Sequence, residues 1–475
     1  MIKRYFATKD NTITNAYGDH LTVRGVSGSM GLSDILEVFS IYGQVSSSAG
    51  FSREEARVLV EFDTTKVAAD ISSGIIPSNA KYFLRLFNAE HGQTVPRDYS
   101  LQVNSINGAW EEGYGLDMED YSDLSNGIGS NWIVRTGATK WTAEGGDIHA
   151  SPAATQALDT GLEDLNIDVT TQVAAWLDSS KVNSGFMVKL PASFTAASVE
   201  KSFYTKKFFA RGSEFFHKRP VLEVRWDSAT RDDRIDFYAS SSLAPAANNI
   251  NTLFLYNYSK GQLVDIPSVA QGAIYVNLHA SLGSAALPLC IDTPATGGWV
   301  ETGIYTASVC LSTTSSILHD VWYKDSNQYH SGTIDVKFLS ALNAAPENDL
   351  VVTVSNNRAI HYQNQTSRFY FYTRQKNWSP SIYTTATSVP TTEVFDNLHF
   401  KIVRIVDDET IFDYDTVNKS TLLSYDTKGN YFDLDMAMLE PNYSYKIELS
   451  LYSVATTSYE QLPFEHAFRV VNNEY

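Results

Sequence analysis

Between Asn107 and Trp132 the chain reads NGAWEEGYGLDMEDYSDLSNGIGSNW. Glu111, Glu112, Asp117, Glu119, Asp120 and Asp123 stand close together here, among Gly108, Gly113, Gly115, Gly127 and Gly129. Paired carboxylates are the groups a glycosidase uses as acid and base or nucleophile, but that chemistry is defined by their separation in space. Asp117, Glu119 and Asp123 also have the oxygen-ligand character of a calcium site. The spacing is not that of an EF-hand, because the position that needs glycine is Ser122. Trp110, Trp132 and Trp141 add indole faces on which a sugar ring could stack.

Other chemistry has no support in the letters. The chain has no GxSxG, HExxH, Walker loop or GxGxxG opening a helix. His91, His149 and His217 lack metal-ligand spacing. Cys290 and Cys310 read as two small apolar residues, and no disulfide is required of them. The basic run EKSFYTKKFFARGSEFFHKR holds Lys201, Lys206, Lys207, Arg211, Lys218 and Arg219 and reads as a solvated or interface face. The net charge is −18, from 36 basic and 54 acidic side chains, which argues against nucleic acid as a partner.

The elements that must position these groups are mainly strands. Aromatics make up 12% of 475 residues and hydrophobics 43%, enough for several buried cores. ARVLVEFD, KYFLRLFNA, YSLQVNSI, FMVKLPA and PVLEVRW alternate as sandwich strands do. One helix is expected in DLNIDVTTQVAAWLDSSK, where Val169, Val173, Trp176 and Leu177 share a face and Asp168 or Thr170 caps it. LSDILEVFSIYG fits a helix or a strand. A charged linker, SATRDD, follows Trp226.

Two further blocks of alternating strands follow, with the pattern of immunoglobulin-like sandwiches. In LEPNYSYKIELSLY, Tyr445 follows a turn with Pro441, as in a tyrosine corner, and Tyr305 occupies a comparable place. The expected domains are therefore 1–227, 231–338 and 339–475. The N-terminus MIKRYFATKDNTITNA lacks the apolar core of a Sec signal, and no apolar run reaches membrane-spanning length.

The first block resembles the DNRLRE-type jelly-roll module, which is also classed among carbohydrate-binding modules. NTITNA, ARVLVEFDTTKV, IIPSNAKYFLRLFNA, SINGAWEEGYGLD, DVTTQVAAWLDSSKVNSGFMVKL and SEFFHKRPVLEVRW carry the likeness in order. The N-terminal segment and the GYGLDMEDYSDLSNGIGSNW insertion resemble virion structural proteins of tailed bacteriophages. The resemblance implies a mostly β chain: an N-terminal jelly-roll with one short helix, then two immunoglobulin-like sandwiches. It also implies that Trp110 and Trp176 are core residues, and that the module is accessory and not catalytic.

Trp132 and Trp141 stay open between core and a glycan-stacking platform. Asp117, Glu119 and Asp123 are the candidate ligands of a structural calcium, and no other cofactor is expected. The leading expectation is a non-enzymatic virion protein of head, neck or tail, assembled in the host cytoplasm. It would meet other virion proteins, as a homo-oligomer in a symmetric assembly. The alternative is a carbohydrate-binding adhesin or accessory module recognising host glycans. An enzyme using Glu111, Glu112 and Asp117 is the third reading.

Overall fold

The computed structural model describes residues 1–18, 23–47, 50–92, 95–116, 129–137, 139–195, 203–339, 349–376 and 392–472. The chain divides into two compact units, Ile2–Trp226 and Asp227–Tyr475, with Met1 grouped with the second. The described residues are mostly β, as the alternating segments require. Among them, no helix is long and apolar enough to cross a membrane.

The first unit is a jelly-roll-type sandwich. One sheet orders the strands Ile2–Phe6, Val221–Arg225, Lys81–Leu86 and Leu165–Asp168, all antiparallel. The other orders Ile148–Leu158, Tyr99–Ile106, Phe186–Lys189, Gly50–Glu61, Ile35–Ser47 and Phe203–Phe209. Lys9–Thr14 also pairs with Gly50–Glu61. LEVFSIYG is thus strand, not helix. The core forms because side chains alternate across each sheet: Leu84, Leu86, Leu222 and Val224 point in from one, Val58, Val60, Leu101 and Val103 from the other.

Leu59 is also fully buried, on the opposite face from Val58 and Val60. It belongs to a second apolar cluster with Ile13, Ile106, Trp110, Trp132, Trp141 and Met187. The chain after Ile106 therefore lies over the outer face of the larger sheet and gives it a tryptophan-rich cover.

The expected helix runs Thr170–Leu177, with Val169, Val173 and Trp176 buried. Val169 holds the N-cap position without a side-chain bond, and the expected Asp168 serves from one residue earlier, its carboxylate accepting the Thr170 amide at 2.8 Å. The single-helix expectation is corrected by Thr64–Ser72 and the short Ala192–Thr195. Asp63 caps the former, accepting the Thr65 amide at 3.0 Å.

The second unit holds two sandwiches. In one, seven strands follow the order Phe237–Tyr238, Asn327–Lys337, Ile317–Lys324, Ile274–His279, Ala295–Glu301, Ile304–Val309 and Asn251–Tyr256. Trp322 and Tyr305 fill its core. In the other, a sheet of Leu350–Val354, Thr366–Gln375, Gly429–Asp435 and Ser424–Asp426 accompanies a five-stranded sheet. That second sheet orders Ile360–Tyr362, Ser458–Val471, Ser444–Ser453, Leu398–Arg404 and Glu409–Phe412. Phe400 and Phe432 stack inside, ring centres 4.0 Å apart.

The Tyr445 hydroxyl donates to the Glu440 carbonyl at 2.8 Å, closing the turn before its own strand. Tyr305 behaves differently. Its hydroxyl donates to the Ala270 carbonyl at 2.8 Å and accepts the Ile266 amide at 3.0 Å. It therefore ties down a distant loop and not the preceding turn.

Candidate functional site

Trp110, Glu111 and Glu112 leave the end of strand Tyr99–Ile106 and are fixed one by one. The Trp110 indole donates to the Ser184 carbonyl at 2.8 Å. Glu111 accepts the Gly137 amide at 3.0 Å through Oε2, while its backbone bonds Arg135 and Ser130. Both Glu112 oxygens accept from Arg211 Nη2 at 2.8 Å. Glu112 Oε1 also takes the Asp10 amide at 2.9 Å.

Asp10 in turn accepts the Arg211 amide. Burial pushes its carboxyl up to about 7; the Arg211 amide opposes this and the Glu112 charge adds to it. The packing leaves no slack. A Cβ at Gly115 would lie 1.2 Å from the Ser29 carbonyl oxygen, and one at Gly31 would lie 2.3 Å from that of Glu112. Glu111 and Glu112 thus act as clamps between segments.

Trp132 and Trp141 require a correction. Each is only 5% exposed, within the cover over Leu59 and Met187. The Trp141 indole donates to the Asn131 carbonyl at 2.9 Å, and the Arg57 guanidinium lies over the Trp132 ring at 4.8 Å. A sugar stacks on an exposed indole face, and neither residue presents one. The calcium candidates Asp117, Glu119 and Asp123 lie outside the described residues. Among the described residues, no group of three or more His, Cys, Asp or Glu is arranged to hold a metal ion.

The basic run is only partly solvated, and its described cations are engaged within the fold. Arg211 pairs with Glu112, Lys207 lies 3.5 Å from Glu37, and Arg219 donates to the Ser213 carbonyl at 2.8 Å. Lys201 lies outside the described residues. Lys206 is 1% exposed, because the alternation of strand Phe203–Phe209 turns it to the same side as Phe208. Two consecutive lysines in a strand must face opposite ways, and this is the signal that sequence reading passed over.

Lys206 lines a cavity of about 230 Å³ together with Asn88, Ala89, Glu90, His91, Val95, Leu162 and Lys207. Its ammonium donates to Asn88 Oδ1 at 2.6 Å and to the Gly161 carbonyl at 2.9 Å. Burial pushes Lys206 down to about 8, against the pull of the Asp164 and Glu163 charges. The imidazole Nδ1 of His91 is buried without a hydrogen-bond partner. An amine, an imidazole and open space meet at this cavity.

In the second unit, Cys290 and Cys310 are unjoined thiols that share a neighbour. Ser240 Oγ lies 3.5 Å from Cys290 Sγ and 3.1 Å from Cys310 Sγ. The Cys290 amide donates to the Cys310 carbonyl at 2.7 Å. Burial, followed by the Cys290 side chain, pushes the Cys310 thiol up.

No protein-family model matches the chain. No curated protein matches it either. Solved structures similar to parts of it include the adhesin InvE of Yersinia pseudotuberculosis, at 14% identity and TM-score 0.15. That likeness covers 49% of this chain and about half of InvE, at 56%. The Ig1-2 module of the Drosophila receptor protein tyrosine phosphatase DLAR is 7% identical over 47% of this chain and 91% of its own, with TM-score 0.15. The titin fragment A168169 is 6% identical over 52% of this chain and 98% of its own, again with TM-score 0.15. Superposition this weak carries no argument. The sandwich assignment rests on the strand pairing described above.

Proposed function

We propose that this chain is a non-enzymatic structural protein of a tailed-bacteriophage virion, decorating head, neck or tail through protein–protein contacts. The observation that carries the reading is the engagement of Glu111 and Glu112. Of the carboxylates that look most like an acid–base pair, Glu111 holds the Gly137 amide, and Glu112 holds the Arg211 guanidinium and the Asp10 amide. What such a chain offers outward is sandwich edges and loop tips. Several tips carry apolar side chains, with Leu243 at 86% and Val417 at 87% exposure. Apolar anchors inside polar rims are how protein surfaces join. In this reading the chain repeats around a symmetry axis as a homo-oligomer, which concentrates weak contacts.

The test is mass spectrometry of purified particles from the phage that encodes the chain. The expected result is this protein at stoichiometric copy number with the other virion proteins. Its absence from intact particles would overturn the reading.

A further inference from the structure

We propose that the cavity beside Lys206 is a binding site for a small carboxylate, held by the Lys206 ammonium and the His91 imidazole. Lys206 is buried, yet both of its hydrogen-bond partners are neutral oxygens, Asn88 Oδ1 and the Gly161 carbonyl. Among the described residues, no carboxylate forms an ion pair with it. An ammonium carries three donors, and two are used. A buried charge without a paired counter-charge is costly, and open space beside it is where a counter-charge can enter.

His91 supplies the second observation. Its Nδ1 is enclosed and has no partner, and the residue is one of those lining the cavity. A carboxylate has two oxygens with about four acceptor positions, enough to take a hydrogen from Lys206 and one from His91. Lys207, on the rim, is already shared with Glu37 at 3.5 Å.

The surroundings select charge and size. Glu90 lines the cavity, and the charges of Asp164 and Glu163 reach Lys206. One ammonium among these carboxylates balances a monoanion better than a phosphate carrying about two charges. A space of about 230 Å³ lies below the usual range of drug-sized pockets, so the ligand is small. Ala89, Val95 and Leu162 offer its carbon skeleton an apolar wall.

A purely structural role for an inward lysine is to keep an edge strand from pairing with another chain. Here that edge is already covered. The Ala89 amide donates to the Lys207 carbonyl at 3.0 Å, and the Phe209 amide to the Phe87 carbonyl at 3.0 Å. The lysine is therefore not needed as a guard.

The experiment titrates the full chain with ¹³C-acetate and, separately, with glucuronate and inorganic phosphate at constant ionic strength and about pH 7.5, where inorganic phosphate is mainly a dianion and Lys206 mainly an ammonium. Acetate line broadening and thermal shift are the readouts. The expected result is saturable binding of acetate or glucuronate with a dissociation constant of the order of millimolar, as befits so few contacts. Phosphate is expected to bind at least about tenfold more weakly. Raising the pH to 9.5 should weaken acetate binding by about tenfold or more as the ammonium discharges. Lys206→Met should abolish binding, and His91→Phe should weaken it by about tenfold. Lys140→Gln, at an exposed lysine that does not line the cavity, should leave it within about threefold. No saturable binding of either carboxylate to the wild-type chain overturns the proposal, as does phosphate binding more tightly than acetate. Binding that is unchanged at pH 9.5, or in a folded Lys206→Met chain, overturns it equally.

Discussion

Arg211 and Glu112, 99 residues apart, meet with Nη2 2.8 Å from each carboxylate oxygen. The pair joins the loop after strand Phe203–Phe209 to the segment after strand Tyr99–Ile106, and Asp10 closes the triangle. Glu112→Ala removes these charge-assisted bonds and orphans the Asp10 amide. With both side chains partly exposed, the expected loss is about 2 kcal/mol in the first unit. Hydrogen exchange during urea unfolding should show lower protection in Lys9–Thr14, with the second unit unchanged.

Two buried titrating groups, one in each unit, should contribute opposite pH dependences. The Asp10 carboxyl sits at about 7 in the folded chain against 3.8 as the ordinary value. Between those values the folded state holds a proton that the unfolded state has lost, so stability falls as pH rises. Asp10→Asn should remove that slope from the first unit. His399 is held down at about 4 against 6.5, mainly by burial. Between those values the unfolded state holds the extra proton, so stability is lost as pH falls. His399→Gln should flatten the loss in the second unit. Unfolding followed from pH 4 to 8 in wild type and both variants checks the two signs.

Arg234 grips Asp320 with both ends of its guanidinium, at 2.8 and 2.7 Å. The carboxylate has no exposure and also accepts the Trp322 indole at 2.7 Å. Arg234→Met leaves that charge buried and unpaired, and about 3–5 kcal/mol of stability should go. Arg234→Met with Asp320→Asn should recover part of it. Calorimetry of the three chains measures the difference.

Two glycines should respond very differently to alanine. At Gly115 the added carbon would fall 1.2 Å from the Ser29 carbonyl oxygen, so backbone must move, at more than about 3 kcal/mol. At Gly74 nothing lies within 4 Å, and only the φ of +78° opposes the change, at about 1 kcal/mol. Thermal unfolding of both variants tests the contrast.

Cys290 and Cys310 are expected to join when the chain meets glutathione disulfide. One thiolate attacks and releases glutathione, and the other displaces the second glutathione to close the bond. The product is lighter by two hydrogen atoms, and Cys290→Ser should stop the reaction at a mixed disulfide or before it. The closed loop carries the hairpin of Ala295–Glu301 and Ile304–Val309 and should gain about 3 kcal/mol. Peptide mapping with and without reductant reads the outcome.

Some of this was written in the letters. Tyr445 followed a proline turn at the spacing of a corner, and the corner is there. The helix from Thr170 announced itself by one apolar face. Thr64–Ser72 did not, because Val67 alone is buried on it; the readable mark was Asp63 in the cap position. Tyr305 sits after a similar turn but bonds a loop far back in the chain, a choice made by packing.

The tryptophans could not be assigned from sequence. Whether an indole faces sugar or core depends on which sheet face the loop covers, and Leu59, buried opposite Val58, settles that only in three dimensions. The Lys206 cavity was hidden for a related reason. In an acidic chain a basic run looks like surface, and period-two alternation alone argued otherwise.

The segment entering the second unit has a mechanical meaning. Thr230 and Asp232 bond the backbone of Tyr425, whose hydroxyl donates to Asp233 at 2.6 Å. At the next residue, Arg234 is anchored in the neighbouring sandwich at Asp320. Tension arriving along the chain would therefore meet both sandwiches within a few residues. They would be loaded side by side and not one after the other, and slack between them would not be the first thing to stretch.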